Sequence, residues 1–176
     1  IKAVLAAMRA RGYHVRHTRE GHRPDLADLP ANKRWRSQRI HAGIGDPGPR
    51  GRILVRGEPG WDIIPDLCAI DGEPIIDKPG KGSFCATDLE LILNQRGVQN
   101  IVLTGITTDV CVHTTMREAN DRGYECLVVS NCVRADVPEV QHIALAIVTT
   151  QVGIFGWLAA AASVIPAFGA HTTIPT

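Results

Sequence analysis

Two side chains in this 176-residue chain are set where they can do nucleophilic chemistry, and the first is Cys111. It lies in "GITTDVCVHTTMREANDRG", Gly105 to Gly123, in what reads as the first turn of a helix entered from the apolar run "NIVLTGI". A helix start leaves unpaired N–H groups and a partial positive charge. A thiol there can be lowered well below its usual pKa of ~8.5, and the thiolate is the attacking form. The same N–H groups can hold an oxyanion. The competing reading is a small core residue, since free cysteine is among the most buried types. Cys68, Cys85, Cys126 and Cys132 are read as core: Cys126 lies within an apolar strand and the others lack a helix-start setting.

The second is Lys78. A nucleophilic thiol needs a base or a cation nearby. Lys78 ends the β-rich segment "EPIIDK", and Pro79 and Gly80 stop the strand there. In a parallel sheet it falls at the same carboxyl edge as Cys111; otherwise it is an ordinary solvated charge. His113, two residues after Cys111, points to a different helix face and reads as structural.

These groups need a sheet to hold them. "IKAVLAAMRARG" has apolar residues at helical spacing and ends on Gly12, a C′ glycine. It reads as the helix after a first strand, so residues are expected upstream. "YHVRHT" is a short strand, and residues 19–52, rich in Pro, Gly, Arg and His without steady period, predict a long functional loop. "RILVR" and "EPIIDK" are short strands. "ATDLELILNQRG" is a helix with a capping box, Thr87 and Glu90, closed by Gly97. "NIVLTGI" is a strand buried on both faces. A helix over about 109–122 ends at Gly123, "ECLVVSN" is the next strand, and "PEVQHIALAIVTTQ" is a helix with Pro138 at its start. "VGIFGWLAAAASVIPAFGA" is broken by Gly153, Gly156 and Pro166, too short to span a bilayer, and reads as a core helix. Strands alternating with helices predict one α/β domain over residues 1–176, a three-layer, doubly wound parallel sheet with ligands at the carboxyl ends of its strands.

The totals exclude several classes. Hydrophobic residues are 44% and charged residues 21%, as in a soluble globular protein, and a net charge of +1 gives no pull toward nucleic acid or membrane. No signal peptide opens the chain. Five cysteines, an odd count with no CxxC pair, read as reduced thiols in a cytoplasmic protein.

The stretches "HTREGHRPDL", "DKPGKGSF" and "LTGITTDVCVHTTMREANDRGYECLVV" resemble the isochorismatase-like cysteine hydrolases over nearly the whole chain, and most of all their biuret- and ureidoacrylate-hydrolysing members. The resemblance implies a six-stranded parallel sheet with helices on both faces, a homotetramer, no cofactor, and an Asp–Lys–Cys triad. Cys111 matches the nucleophile and Lys78 the lysine. The family's aspartate ends its first strand, in a motif with no counterpart in this sequence. Asp77 adjoins Lys78 on a strand and points to the opposite face; Asp109 reads as a helix-start residue. The resemblance also implies a non-proline cis bond between Ile106 and Thr107, with the N–H groups of Thr107 and Cys111 as an oxyanion hole. Gln151 matches a glutamine that binds the urea-like end of the substrate. Lys81 is a second substrate contact, and Arg19, Glu20, His22 and Arg23 line the mouth. Nicotinamidase relatives hold zinc near this loop through an Asp and two His. "HTREGHRP" lacks that arrangement, so no metal is expected.

The implied function is hydrolysis of a linear amide C–N bond in a small urea-like substrate, biuret to allophanate and ammonia, through a thioester. Ureidoacrylate or another carbamoyl amide stays open as the substrate. So do a non-catalytic member of the fold and a thiol redox sensor in which Cys85 is the thiol near the Lys78 motif. The apolar segment "GIFGWLAAAASVIPAF" predicts assembly into an oligomer.

Overall fold

The chain begins with a helix that amphipathic spacing makes and a glycine ends. In the computed structural model, which describes residues 1–168, α1 covers Lys2–Ala10 and Gly12 turns the chain out of it at φ +71°. Only a residue without a Cβ takes that conformation at little cost. Val4 and Met8 of α1 pack beside Val164, Ile165 and Phe168 around the last helix among the described residues, α6 (Ala161–Ala167).

Two parallel ladders carry the site. β1 (His17–Glu20) pairs with β4 (Ile75–Lys78), with Arg19 opposite Asp77 and Glu20 opposite Lys78. β5 (Asn100–Ile106) pairs with β6 (Glu125–Arg134), and β6 with β7 (Trp157–Ala159). Between the members of the first pair lies a small antiparallel hairpin, β2 (Pro47–Gly48) and β3 (Gly51–Arg52). The expected single six-stranded sheet is thus, among the described residues, a parallel pair and a parallel triple. β5, expected to be buried on both faces, is only partly buried, because one of its two edges has no strand partner among the described residues.

β6 shows the layering. Val128 and Val129 point to opposite faces and both have no exposed surface. Val128 joins Met116, Ala119 and Val148, from α4 (His113–Asp121) and α5 (Pro138–Gly153), together with Leu89 and Leu93 of α3 (Leu89–Gln95). Val129 joins Val4, Cys132 and Val164, under α1 and α6. Helices therefore cover both faces, as an α/β fold requires. No helix among the described residues is long and apolar enough to cross a membrane.

Several local expectations are corrected. Residues 19–52 hold a helix, α2 (Ala31–Arg39), which shows no apolar stripe because Ser37 is its only buried residue. "YHVRHT" becomes strand only from His17, and "RILVR" only at its first residue, Arg52. The capping box does not form. The Thr87 hydroxyl donates to the Ser83 carbonyl at 2.6 Å and accepts from the Leu89 N–H at 3.3 Å, while Glu90 pairs with Arg122. The run "VGIFGWLAAAASVIPAFGA" is no single helix: β7 and α6 divide it. The break falls at Gly156, φ +137°, where a Cβ would collide with the Cys126 carbonyl. Its last two residues, 169 and 170, lie outside the described residues. Cys126 and Cys132 are buried as expected, but Cys68 and Cys85 are exposed.

Candidate active site

Register builds the first half of the site. Because β1 and β4 run parallel with Glu20 opposite Lys78, both side chains emerge at the carboxyl edge on one face. Arg19 and Asp77, one residue back, emerge on the other. The Arg19 guanidinium is committed there: its Nε is 2.8 Å from Asp77, its Nη1 2.7 Å from Asp62, and its plane lies 3.8 Å over the Trp61 ring. The expectation that Arg19 contacts substrate is therefore overturned by strand alternation.

Lys78 is 2% exposed. Its Nζ donates to the carbonyls of Gly80 at 3.0 Å and Lys81 at 2.6 Å, and to Glu20 Oε2 at 3.1 Å. Cys111 Sγ lies 3.7 Å away. Lys81 thus contributes its carbonyl to holding Lys78, while its own side chain is exposed.

The second half is the turn after β5. Ile106–Thr107 is a cis peptide, as the resemblance implied. Cys111 sits in a π-helical turn, Thr108–Val112, rather than in the first turn of the α-helix, which begins at His113. Such π turns are rare and recur at functional sites. The Thr107 backbone N–H is among the groups that favour the charged form of Cys111. The turn is braced from outside: Thr108 Oγ1 donates to Gln141 Oε1 at 2.6 Å, which also accepts the Ala135 N–H at 2.7 Å. Thr115 Oγ1 donates to the Cys111 carbonyl at 2.7 Å. His113 is structural, its Nε2 2.7 Å from the Ala144 carbonyl. Asp109 is an exposed residue of the turn.

The thiol and the carboxylate meet. Cys111 Sγ donates to Glu20 Oε2 at 3.4 Å, so one oxygen faces both sulfur and ammonium. The expectation of a thiol pKa lowered by the helix start is corrected. Burial pushes the Cys111 thiol up, and the Glu20 carboxylate adds to this. The Lys78 charge and the Thr107 N–H pull the other way without prevailing. Glu20 behaves oppositely: burial opposes its charge, but the Lys33 hydrogen bond and the Lys78 and Lys33 charges outweigh it and hold it below the ordinary carboxylate value. The site therefore rests as a neutral thiol beside an ionised carboxylate.

Gln151 is not in this site. β7 starts opposite Leu127, near the amino end of β6, so α5 runs from the carboxyl edge back to the amino edge. Gln141 in its first turns touches the Cys111 turn; the regular helix runs to Thr149, roughly 12 Å further along, and Gln151 lies beyond it, after Thr150. Gln151 is exposed, in a left-handed turn at φ +50° where the helix breaks.

Of the remaining mouth residues, Arg23 pairs with Asp25 on the surface. His22 is fully buried, 3.2 Å from Asp28. Burial and Lys33 push its pKa down, so it is a neutral imidazole. His17 is turned away, 2.8 Å from Glu73. Among the described residues no group of three His, Cys, Asp or Glu side chains is arranged to hold a metal. Sequence reading missed Lys33, on α2, whose Nζ lies 2.7 Å from Glu20 Oε1. The only local signal was its proximity to the "HTREGHRPDL" stretch.

Comparison with known proteins identifies the family and the fold. The family model for the isochorismatase domain matches residues 1–162. The ureidoacrylate amidohydrolase RutB of Methylorubrum extorquens is 30% identical over 162 residues, which cover 90% of this chain and 64% of that protein. RutB of Methylobacterium radiotolerans is 30% identical over 99% of this chain and 68% of its own length. Among solved structures, a cysteine hydrolase from Pseudomonas syringae pv. phaseolicola 1448A superposes with a TM-score of 0.80 at 27% identity, covering 96% of this chain and 78% of that one. An isochorismatase family protein from Burkholderia thailandensis superposes with a TM-score of 0.76 at 30% identity, over 96% and 81%. The chain thus spans about two thirds of the length of the curated relatives it matches.

Proposed function

The chain belongs to the isochorismatase family, and from that premise we propose that it is an amidohydrolase cleaving a linear C–N bond of a small carbamoyl amide through a cysteine thioester. The observation that carries this reading is the contact of Cys111 Sγ with Glu20 Oε2 at 3.4 Å and Lys78 Nζ at 3.7 Å.

A carboxylate in the role the family gives its triad aspartate takes the thiol proton as sulfur attacks the substrate carbonyl carbon and a C–S bond forms. The N–H groups of Thr107 and Cys111 hold the oxyanion, and Lys78 stabilises the negative charge of the cluster. The C–N bond then breaks, and that carboxylic acid returns the proton to the leaving nitrogen, which departs as an amine. Water attacks the thioester, the carboxylate takes its proton, and the C–S bond breaks. The sulfur regains that proton from the same group, which restores the site.

Ureidoacrylate is the first candidate substrate, supported by the names of the relatives at 30% identity. Biuret comes second, because the residue that argued for it, Gln151, stands at the other edge of the sheet. A cytoplasmic homotetramer belongs to the same reading, and the exposed apolar side chains of Ile143, Ile154 and Trp157 support assembly. Turnover of ureidoacrylate, biuret and a panel of small amides by one preparation tests the proposal. Product from the first and none from Cys111→Ala is the expected result. A wild-type protein inert on the whole panel favours a non-catalytic member of the fold.

A further inference from the structure

The Thr115 hydroxyl has one oxygen and three contacts. Thr115 lies on α4, one turn after Cys111, and donates to the Cys111 carbonyl at 2.7 Å. That back-bond is ordinary for a helical threonine. The other two contacts come from far along the chain. Thr115 Oγ1 accepts the Ser83 N–H at 3.2 Å and stands 3.0 Å from Ser83 Oγ. A hydroxyl has one hydrogen and Thr115 gives its own to Cys111, so the Ser83 hydroxyl is the donor between the two. Both residues are buried, Ser83 at 2% and Thr115 at 7% exposure.

Ser83 belongs to the loop after β4, residues 79–84, and that loop cradles Lys78. Two of the three N–H groups of the ammonium go to its carbonyls, Gly80 at 3.0 Å and Lys81 at 2.6 Å. The third goes to Glu20. The loop lies close on α4 because Gly82 has no side chain: a Cβ there would collide with the Glu118 carboxylate. Glu118, three residues after Thr115, faces the same loop and accepts the Phe84 N–H at 3.4 Å. One threonine oxygen thus ties the backbone of the nucleophile to the loop that holds its cation.

We infer that Thr115 and Ser83 are a positioning pair that sets the separation of Lys78 Nζ and Cys111 Sγ, 3.7 Å in the structure. The inference rests on the reading of Cys111 as nucleophile and Lys78 as its cation. The charges facing the thiol are Lys78 from β4, which pulls its pKa down, and Glu20 from β1, which pushes it up. Without the pair, the loop and Lys78 draw away from the sulfur, and the thiol ionises less readily. A pair that only braced the fold would change the melting temperature and leave that ionisation alone.

The test compares wild type with Thr115→Val, which keeps the shape and removes the hydroxyl, and Thr115→Ser, which keeps the hydroxyl. The readout is the pH midpoint for alkylation of Cys111 by iodoacetamide. Mass spectrometry follows the Cys111 peptide, because Cys68 and Cys85 are exposed and react as well. In Thr115→Val the midpoint rises by about half a unit or more, part of the roughly 1–3 units that a cation at this distance supplies. Its kcat/KM on ureidoacrylate falls about 10-fold or more, the cost of a displaced catalytic group. In Thr115→Ser both stay near wild type. A folded Thr115→Val protein with the midpoint unmoved overturns the inference, and so does a Thr115→Ser midpoint shifted as far as that of Thr115→Val. If Thr115→Val does not fold by circular dichroism, Ser83→Ala is read the same way; failure of both makes the pair a folding element and sinks the positioning role. Absence of wild-type turnover would count against the proposed function alone, and the alkylation midpoint would still decide on Thr115 and Ser83.

Discussion

Glu20 and Cys111, 91 residues apart in the chain, meet with the thiol sulfur 3.4 Å from a carboxylate oxygen that Lys78 also holds. The contact sets the chemistry, because a negative charge beside a buried thiol opposes its ionisation.

Replacing Cys111 with Ala removes the nucleophile and is expected to abolish turnover. The side chain is only half buried, so the melting temperature should move little. Turnover measured beside thermal unfolding checks this; residual activity near the wild-type value would exclude a thioester.

Glu20→Gln keeps the size of the side chain and removes its charge. Turnover is expected to fall, because Lys78 loses the charged partner that holds its Nζ at 3.1 Å. The alkylation midpoint of Cys111 should fall at the same time, because the charge that opposed its ionisation is gone. Steady-state kinetics beside the pH midpoint of Cys111 alkylation by iodoacetamide checks this; an unmoved midpoint would contradict the contact of the Glu20 charge with the thiol.

Lys78→Met should shift the same midpoint the other way, upward, since the Lys78 charge pulls the thiol down. It also strips a buried partner from Glu20 and leaves the Gly80 and Lys81 carbonyls without their donor. Loss of one partner from a buried pair costs about 3 kcal/mol. Urea denaturation measures it, and an unchanged transition would contradict the buried pairing.

Gln151→Ala should leave kcat/KM unchanged, because the residue is exposed at the far end of α5. Gln141→Ala should lower it, because Gln141 anchors Thr108 and the Ala135 N–H beside the Cys111 turn. Steady-state kinetics on the two variants decides which glutamine the site depends on.

Stability should fall with acid through Glu73. It accepts from Arg9 at 2.7 Å and lies 2.8 Å from His17, tying α1 to β1. The Arg9 hydrogen bonds come first among the causes that lower its pKa from 4.5 to about 2. A folded value below the unfolded one means the contribution is complete above 4.5 and is lost as pH falls toward about 2. Unfolding free energies measured across that window should decline in wild type and decline less in Glu73→Gln.

Much of this was written locally in the chain. Helical spacing closed by Gly12 marks α1, a continuous apolar run marks β5, and Pro79 with Gly80 marks Lys78 as a strand end. Each depends on neighbours a few residues away, and so does the turn that carries Cys111. α2 escaped because a helix with a single buried residue has no apolar period. Gln151 was misplaced because a match along the sequence does not say at which edge of the sheet a helix ends. The pairing of Glu20 with Lys33 and Cys111 escaped because parallel register and the approach of α2 decide it. The sequence by itself determined the turn that carries Cys111, the strand-end lysine and the alternation of helix with strand, since short-range sterics and periodicity specify those. Only the tertiary structure decided which carboxylate meets the thiol and that the thiol rests protonated, since both follow from distances and burial between segments far apart in the chain.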